Sequence, residues 1–597
     1  MNQSVQISTP QLCDSTDEMR TTRIELSNAR LMARAWASTS AYSDSEALAA
    51  SFAGHALASL AATCAISEEF CPSLRRARRT LDETAMALAT KIGEIAARLP
   101  LIEALHQVTS LYPALMPAKE RSALGAFYTP PALVTRLLDQ AAQAGVDWST
   151  AKVLDPAAGG GIFLLHAARR MVDALGECEP VFALSHVTAR LSGFELDANA
   201  ANLAQCALEI SLADLARSAG RPAPQIVKTC DTLAMQAQPV FDLVIGNPPY
   251  GRVTLPTEMR AKYARSLYGH ANLYGIFTDA AMRWTKPGGI IAFLTPTSFL
   301  GGQYFSALRC LLAKEAPPVA IDFVHARKGV FEDVLQETLL AIYHRGALRG
   351  GTCINYLTML SEIEARITSN GAIILPQDAS APWLAPRLPD HIALVRRAQR
   401  MSHRLSDWGY KVSTGPLVWN RHKSQLRDRA GGKNVHPLIW AEAVTPDGRF
   451  TYRAHKKNHA PFFRMEPGDD WLLTRKPCVV VQRTTAKEQT RRLIAAELPA
   501  AFIAEHGGVV IENHLNMVRA VDDEAVAPSI VAAFLNSRIA DDLFRCISGS
   551  VAVSAFELEA VPLPAPSQLA VLSKLVASGA SRDEIDTECA RLYGTDA

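Results

Sequence analysis

The sequence predicts an α/β protein built on a doubly wound parallel sheet, with a helical region before it and a mixed α+β region after it. Three observations predict this. Between about residues 119 and 350, short apolar runs alternate with helix-like segments: Lys152 to Leu154, Leu191 to Phe194, Gln225 to Lys228, Phe241 to Ile245, Gly289 to Leu294, Val319 to Val324 and Thr338 to Tyr343. Strands separated by helices imply parallel pairing through crossovers. The first run opens into a glycine-rich turn, and acidic or amide side chains close four successive runs, at the edge where such sheets bind ligands.

The elements follow in chain order. Residues 1–118 carry Ala- and Leu-rich segments with helical periodicity, such as Thr80 to Leu99, and read as a helical accessory domain. The weakly polar stretch Ala47 to Ile66 holds His55 and several Ser, and reads as a packed helix and not a membrane span. Residues 119–350 form the sheet domain. Residues 351–402 read as a connector, with Pro376, Pro382, Pro386 and Pro389 interrupting regular structure. A second domain follows over 403–565, then a helical tail over 566–597.

Composition narrows the function classes. The 597 residues suffice for several cores, and 61 Lys+Arg against 59 Asp+Glu leave global charge uninformative. Charge is local instead: between Arg404 and Arg492 there are 18 Lys/Arg against 8 Asp/Glu, interleaved with Trp408, Trp419, Trp440 and Trp471. Cations mixed with aromatics suit a partner bearing phosphates and bases. The eleven Cys form no Cys-x-x-Cys pair, which points to free thiols in a cytoplasmic protein without a zinc centre.

The candidate site begins at Lys152-Val153-Leu154-Asp155-Pro156-Ala157-Ala158-Gly159-Gly160-Gly161, which reads as strand, glycine-rich turn and helix start. The spacing departs from Gly-x-Gly-x-x-Gly, and Asp155 stands where a carboxylate opposes phosphate and favours an ammonium group. That sign argues against a dinucleotide and for S-adenosylmethionine, whose amino-acid end and sulfonium are cationic. Glu195, ending the next run, is placed to accept from two ribose hydroxyls. Asp231, ending the one after, is placed to accept from the adenine amine. The fourth run ends in Asn247-Pro248-Pro249-Tyr250. An Asn oxygen and a proline carbonyl give two adjacent acceptors for one planar NH2 group, and Tyr250 offers a flat face for the ring that carries it.

These segments, in this order, resemble the adenine-N6 DNA methyltransferases of the TaqI-like gamma group over about residues 119–565. Upstream, Gly125-Ala126-Phe127-Tyr128-Thr129-Pro130-Pro131 is similar to the group's first cofactor-binding segment, which implies that Tyr128 and Thr129 touch the cofactor. Downstream, Ala271-Asn272-Leu273-Tyr274-Gly275-Ile276-Phe277 resembles the motif whose Phe packs on the cofactor adenine, and Lys286 to Pro296 resembles the strand and loop after it. Pro156, Ala157, Gly159, Gly161 and Thr232 complete the implied cofactor set. Glu512 to Leu515, Ala533 to Ser537 and Leu558 to Pro564 are similar to landmarks of a target recognition domain. Two departures stand out: Thr232 occupies a position that is aromatic in the group, and Glu195 lies 40 residues after Asp155.

The resemblance implies a Rossmann-like S-adenosylmethionine-dependent methyltransferase acting on double-stranded DNA, as the monomeric modification component of a type II restriction-modification system whose endonuclease is encoded separately. Asn247 and the Pro248 carbonyl would take the two N6 hydrogens of a flipped-out adenine held against Tyr250. Phe331, Tyr356 and Trp383 are candidates for a second aromatic face. Arg421, Lys423, Arg475, Lys476 and Arg483 are candidate phosphate contacts. Methyl transfer from a sulfonium calls for no metal. A clamp of this type serves any planar amine, so a glutamine amide, an RNA base or an inactive DNA-binding subunit are the alternatives, and the basic, aromatic C-terminal segment favours catalysis on DNA.

Overall fold

Every apolar run read from the sequence contributes to a strand in the computed structural model, which describes residues 4–6, 16–39, 44–117, 119–121, 129–325, 337–432, 434–484, 491–521, 525–548 and 552–594. Two compact units are present: Met1–Pro296 with Ala307–Ala372, and Thr297–Ser306 with Ile373–Ala597. In chain order the strands of the larger unit are β1 (Ser4–Gln6), β2 (Val153–Asp155), β3 (Leu191–Glu195), β4 (Val227–Thr229), β5 (Phe241–Gly246), β6 (Arg252–Val253), β7 (Ala271–Asn272), β8 (Thr285–Pro296), β9 (Pro318–His325), β10 (Thr338–His344), β11 (Gly351–Met359) and β12 (Ala365–Ile374).

Ten of these form one sheet in the order β1-β12-β11-β9-β10-β8-β5-β2-β3-β4. The half that carries the candidate site, β4-β3-β2-β5-β8, is parallel throughout. Its central strands are apolar along their length because helices cover both faces, as the fully buried Val153, Leu154, Leu243, Val244 and Ile245 show. The wholly parallel sheet expected from the sequence is corrected on the other side, where β10 runs against both β8 and β9 and makes the sheet mixed. An apolar run reports burial but carries no direction, so the reversal was not readable.

Helices fix the strand ends. Asp197 caps the helix Ala198–Ser211 by accepting from the Asn199 amide at 2.8 Å. The helix Pro131–Gln143 is tied to the sheet by the buried Asp322 of β9, which accepts from Arg136, Gln140 and, across the sheet, Asn355 of β11, each at 2.6 Å. Removing one member would leave a buried charge or amide unpaired, so the group acts as one unit. Thr129 stands two residues before that helix begins.

The N-terminal helices, which include Thr16–Thr39, Ser45–Thr63, Glu83–Ala96 and Leu101–Thr109, share one hydrophobic core with the sheet domain, in which Leu57, Leu60, Ile92 and Leu105 join Leu203, Leu208, Val227 and Leu243. The Ala47 to Ile66 stretch is the helix Ser45–Thr63, with eleven buried residues, and among the described residues no helix is long and apolar enough to cross a membrane. The expected border at 118 therefore falls inside one compact unit. The connector expected over 351–402 starts with β11 and β12, because its prolines cluster only after Ile374.

The second unit, described by itself, is α+β. A four-stranded antiparallel sheet joins Tyr410–Thr414, Leu515–Ala520, Cys478–Gln482 and Ala495–Leu498. A second sheet packs around Leu438, Trp440, Phe463, Leu472 and Val510. Helices such as Pro528–Leu535, Arg538–Ile547, Ala570–Ala577 and Arg582–Leu592 complete it.

Candidate active site

The turns after β2, β3, β4 and β5 meet at the carboxyl edge of the parallel half-sheet. Backbone bonds pin them together: Ala158 N–H donates to the Phe194 carbonyl at 2.9 Å and Cys230 N–H to the Glu195 carbonyl at 2.8 Å. The Thr232 hydroxyl donates to the Pro156 carbonyl at 2.6 Å and is buried. Thr232, the departure from the aromatic position of the resembling group, thus serves here as a latch on the glycine-rich turn.

Asp155 ends β2 and is 1% exposed. Its Oδ1 accepts from the Ala157 amide at 3.1 Å, while its Oδ2 is buried without a hydrogen-bond partner among the described residues. Burial, reinforced by nearby Glu195, pushes this carboxyl up to about 8. Gly246, the last residue of β5, makes room for it: a Cβ there would stand 2.7 Å from the Asp155 Oδ1. An unpaired buried carboxylate oxygen is costly unless a donor occupies it in the working state.

Glu195 is held from both sides. Its Oε2 accepts from the Gly159 amide at 2.8 Å and its Oε1 from the Asp197 amide at 3.0 Å, and burial raises its pKa. Each oxygen retains a lone pair for a further donor. Gly159 (φ +50°) and Gly161 (φ +81°) are left-handed, and the space a Cβ would fill at Gly159 is open, so a ligand can reach the backbone there. Asp231 is exposed and uses Oδ1 on the Leu233 amide at 2.9 Å. Phe277, 8% exposed, packs in one cluster with Leu233, beside the partly buried Ala157, so the carboxyl edge has an apolar wall at this end.

Asn247 follows β5 directly, and both ends of its amide are held. Its Nδ2 donates to the Thr129 Oγ1 at 3.1 Å, and its Oδ1 accepts from the Tyr250 hydroxyl at 2.7 Å. In this orientation Oδ1 keeps one lone pair. Pro248 is buried, whereas Pro249 and Tyr250 are partly exposed. The Tyr250 ring stands edge to face on the buried Tyr274, with centroids 6.1 Å apart. The sequence treated Tyr250 as a flat face alone and missed its bond to Asn247. Thr129, expected against the cofactor, also holds the Asn247 amide through its side chain.

Other expected residues fall elsewhere. Tyr128 and Phe331 lie outside the described residues. Tyr356 (2% exposed) stacks on Phe323, and Trp383 (0% exposed) packs edge-on against Phe299, so both are core side chains and neither offers a second aromatic face. In the second unit Arg421, Lys423, Arg475 and Lys476 are exposed, with the Lys423 ammonium 5.8 Å from the Trp419 ring. Arg483 is partly buried and donates to the Asn513 carbonyl at 2.7 Å.

The fold and this edge define a doubly wound α/β protein with polar side chains gathered at the carboxyl ends of its parallel strands. Comparison with known proteins sharpens the class: residues 191–331 match the Eco57I restriction-modification methylase family. The type II methyltransferase M.BsuBI of Bacillus subtilis is 27% identical over 343 residues, 56% of this chain and 68% of its own. The type II methyltransferase M.PstI of Providencia stuartii is 28% identical over 353 residues, 57% of this chain and 68% of its own. Among solved structures, the type IIL restriction-modification enzyme MmeI, in complex with DNA, aligns over 87% of this chain and 82% of its own at a TM-score of 0.53 and 12% identity, a likeness of fold. The chain is thus similar to restriction-modification methyltransferases, in line with the resemblance read from its motifs.

Proposed function

We propose that this protein transfers a methyl group from S-adenosylmethionine to N6 of an adenine flipped out of duplex DNA, as the modification component of a restriction-modification system. The observation that carries the reading is the Asn247 amide, clamped by Thr129 and Tyr250 at the strand end next to the buried, half-satisfied Asp155. Asp155 and Glu195 fit the cofactor. The unpaired Oδ2 of Asp155 suits an ammonium group, and the spare lone pairs of Glu195 suit two ribose hydroxyls. Pro156, Ala157, Asp231 and Phe277 would border the adenine, with Gly159 and Gly161 giving the backbone access that the turn requires. Bound there, the cofactor supplies an electrophilic methyl on a sulfonium.

The chain's own residues do the rest. An exocyclic adenine amine is a weak nucleophile because its lone pair is delocalised into the ring. Two acceptors on its hydrogens, Asn247 Oδ1 and the Pro248 carbonyl, draw the nitrogen toward a tetrahedral shape and concentrate the lone pair for in-line attack. The partly exposed face of Tyr250 would hold the ring, and Pro249 shapes the turn. The cationic side chains of the second unit, Arg421, Lys423, Arg475 and Lys476 among them, would contact phosphates.

Asn247→Ala tests the clamp. The variant is expected to bind S-adenosylmethionine with unchanged affinity by calorimetry and to lose at least about 100-fold in methyl transfer, the scale of a removed transition-state contact. Turnover near that of the unmodified protein would contradict the clamp.

A further inference from the structure

The helix Leu101–Thr109 and the short helix Leu111–Leu115 reach three parts of the site at once. Thr109 lies against the glycine-rich turn, where a Cβ on Gly160 would stand 3.1 Å from its Oγ1. His106, 4% exposed, hydrogen-bonds the Thr129 backbone, and Thr129 holds the Asn247 amide. Tyr112, 3% exposed, donates its hydroxyl to the Asp197 Oδ2. Asp197 in turn uses Oδ1 on the Asn199 amide at the start of the next helix and donates its own amide to Glu195 Oε1 at 3.0 Å. A chain of hydrogen bonds therefore runs from the N-terminal helices to the Glu195 carboxylate.

We infer that the N-terminal helical region is a built-in part of the cofactor site, with Tyr112 as the positioning residue that sets Glu195 through Asp197. The inference rests on the cofactor reading above. Tyr112 touches no substrate. It fixes the Asp197 turn, and so the orientation of a carboxylate whose free lone pairs must meet two vicinal hydroxyls. A tyrosine hydroxyl is suited to this, because its ring is buried in the core and only the terminal oxygen is polar.

The test uses the full chain. Tyr112→Phe is expected to raise the Kd for S-adenosylmethionine roughly three- to tenfold, the effect of losing one hydrogen bond, and to raise KM for it with kcat at saturation within about twofold. Asp197→Ser keeps an acceptor for the helix cap while removing the tyrosine's partner, so it is expected to give the same shift and remains informative should Tyr112→Phe fail to fold. The double variant is expected to be no weaker than either single one, a coupling that loss of bulk stability does not produce. Tyr343→Phe, a buried tyrosine in β10, serves as the control with unchanged KM. Cofactor affinity within 1.5-fold of the parent in both variants, roughly the spread of a repeated titration, while Glu195→Gln loses binding, overturns the positioning role alone. Full binding by Glu195→Gln overturns the cofactor reading beneath it.

Discussion

Asp155 shows how burial turns a common side chain into a pH-dependent one. Its carboxyl is raised to about 8 from an ordinary 3.8, so the folded protein holds a proton that the unfolded chain releases. The stability this contributes is complete below about 4 and declines by up to about 1.4 kcal/mol per pH unit until it is gone above about 8. Asp155→Asn is therefore expected to unfold with a flatter pH dependence between those limits and to be the more stable protein at pH 8 to 9, as urea titrations at several pH values will read. Pairing with an ammonium requires the ionised form, so the affinity for S-adenosylmethionine is expected to rise about tenfold per pH unit up to about 8 and to lose that slope in the variant. Tyr250 makes a separate prediction. Tyr250→Phe keeps the ring but frees the Asn247 oxygen to turn, so kcat is expected to fall several-fold with cofactor affinity unchanged, the cost of about one hydrogen bond.

At the scale of elements, the site depends on two neighbouring strands ending close together. Gly246→Ala would drive a methyl into the Asp155 carboxyl, so the variant is expected to lose about 1–3 kcal/mol of stability in denaturant unfolding and to bind the cofactor poorly. Much of this was legible beforehand. Apolar runs marked β2, β3, β5 and β8, and the residues closing them named Asp155, Glu195 and Asn247, because a strand's end and its side chains are local facts. The reversal of β10, the bond from Tyr250 to Asn247 and the bond from Tyr112 to Asp197 were not legible, since each depends on which segments tertiary packing brings together. Tyr112 and Asp197 stand 85 residues apart and share no pattern.

At the scale of the whole molecule, the near-neutral total charge conceals a basic window, Arg404 to Arg492, within the second unit. Its exposed cations are expected to make binding to duplex DNA salt-dependent, and Arg475→Ala and Lys476→Ala are each expected to reduce the slope of log K against log salt by about one. Arg483→Ala is expected to cost stability instead, because its guanidinium holds the Asn513 carbonyl within the fold. The basic window was plain in the sequence, whereas the separation of exposed cations from those held within the fold required the structure. The N-terminal helices were legible as helices, yet not as part of the unit that carries the candidate site, because amphipathic periodicity does not say which surface a helix covers.

The central claim, that this edge methylates adenine N6 in DNA, is tested most directly by incubating the protein with methyl-labelled S-adenosylmethionine and duplex DNA, digesting the DNA to nucleosides and identifying the labelled one by mass spectrometry. The account predicts label in N6-methyladenine alone, abolished by Asn247→Ala. Label in a cytosine, or transfer only to RNA or to a protein glutamine, would contradict it.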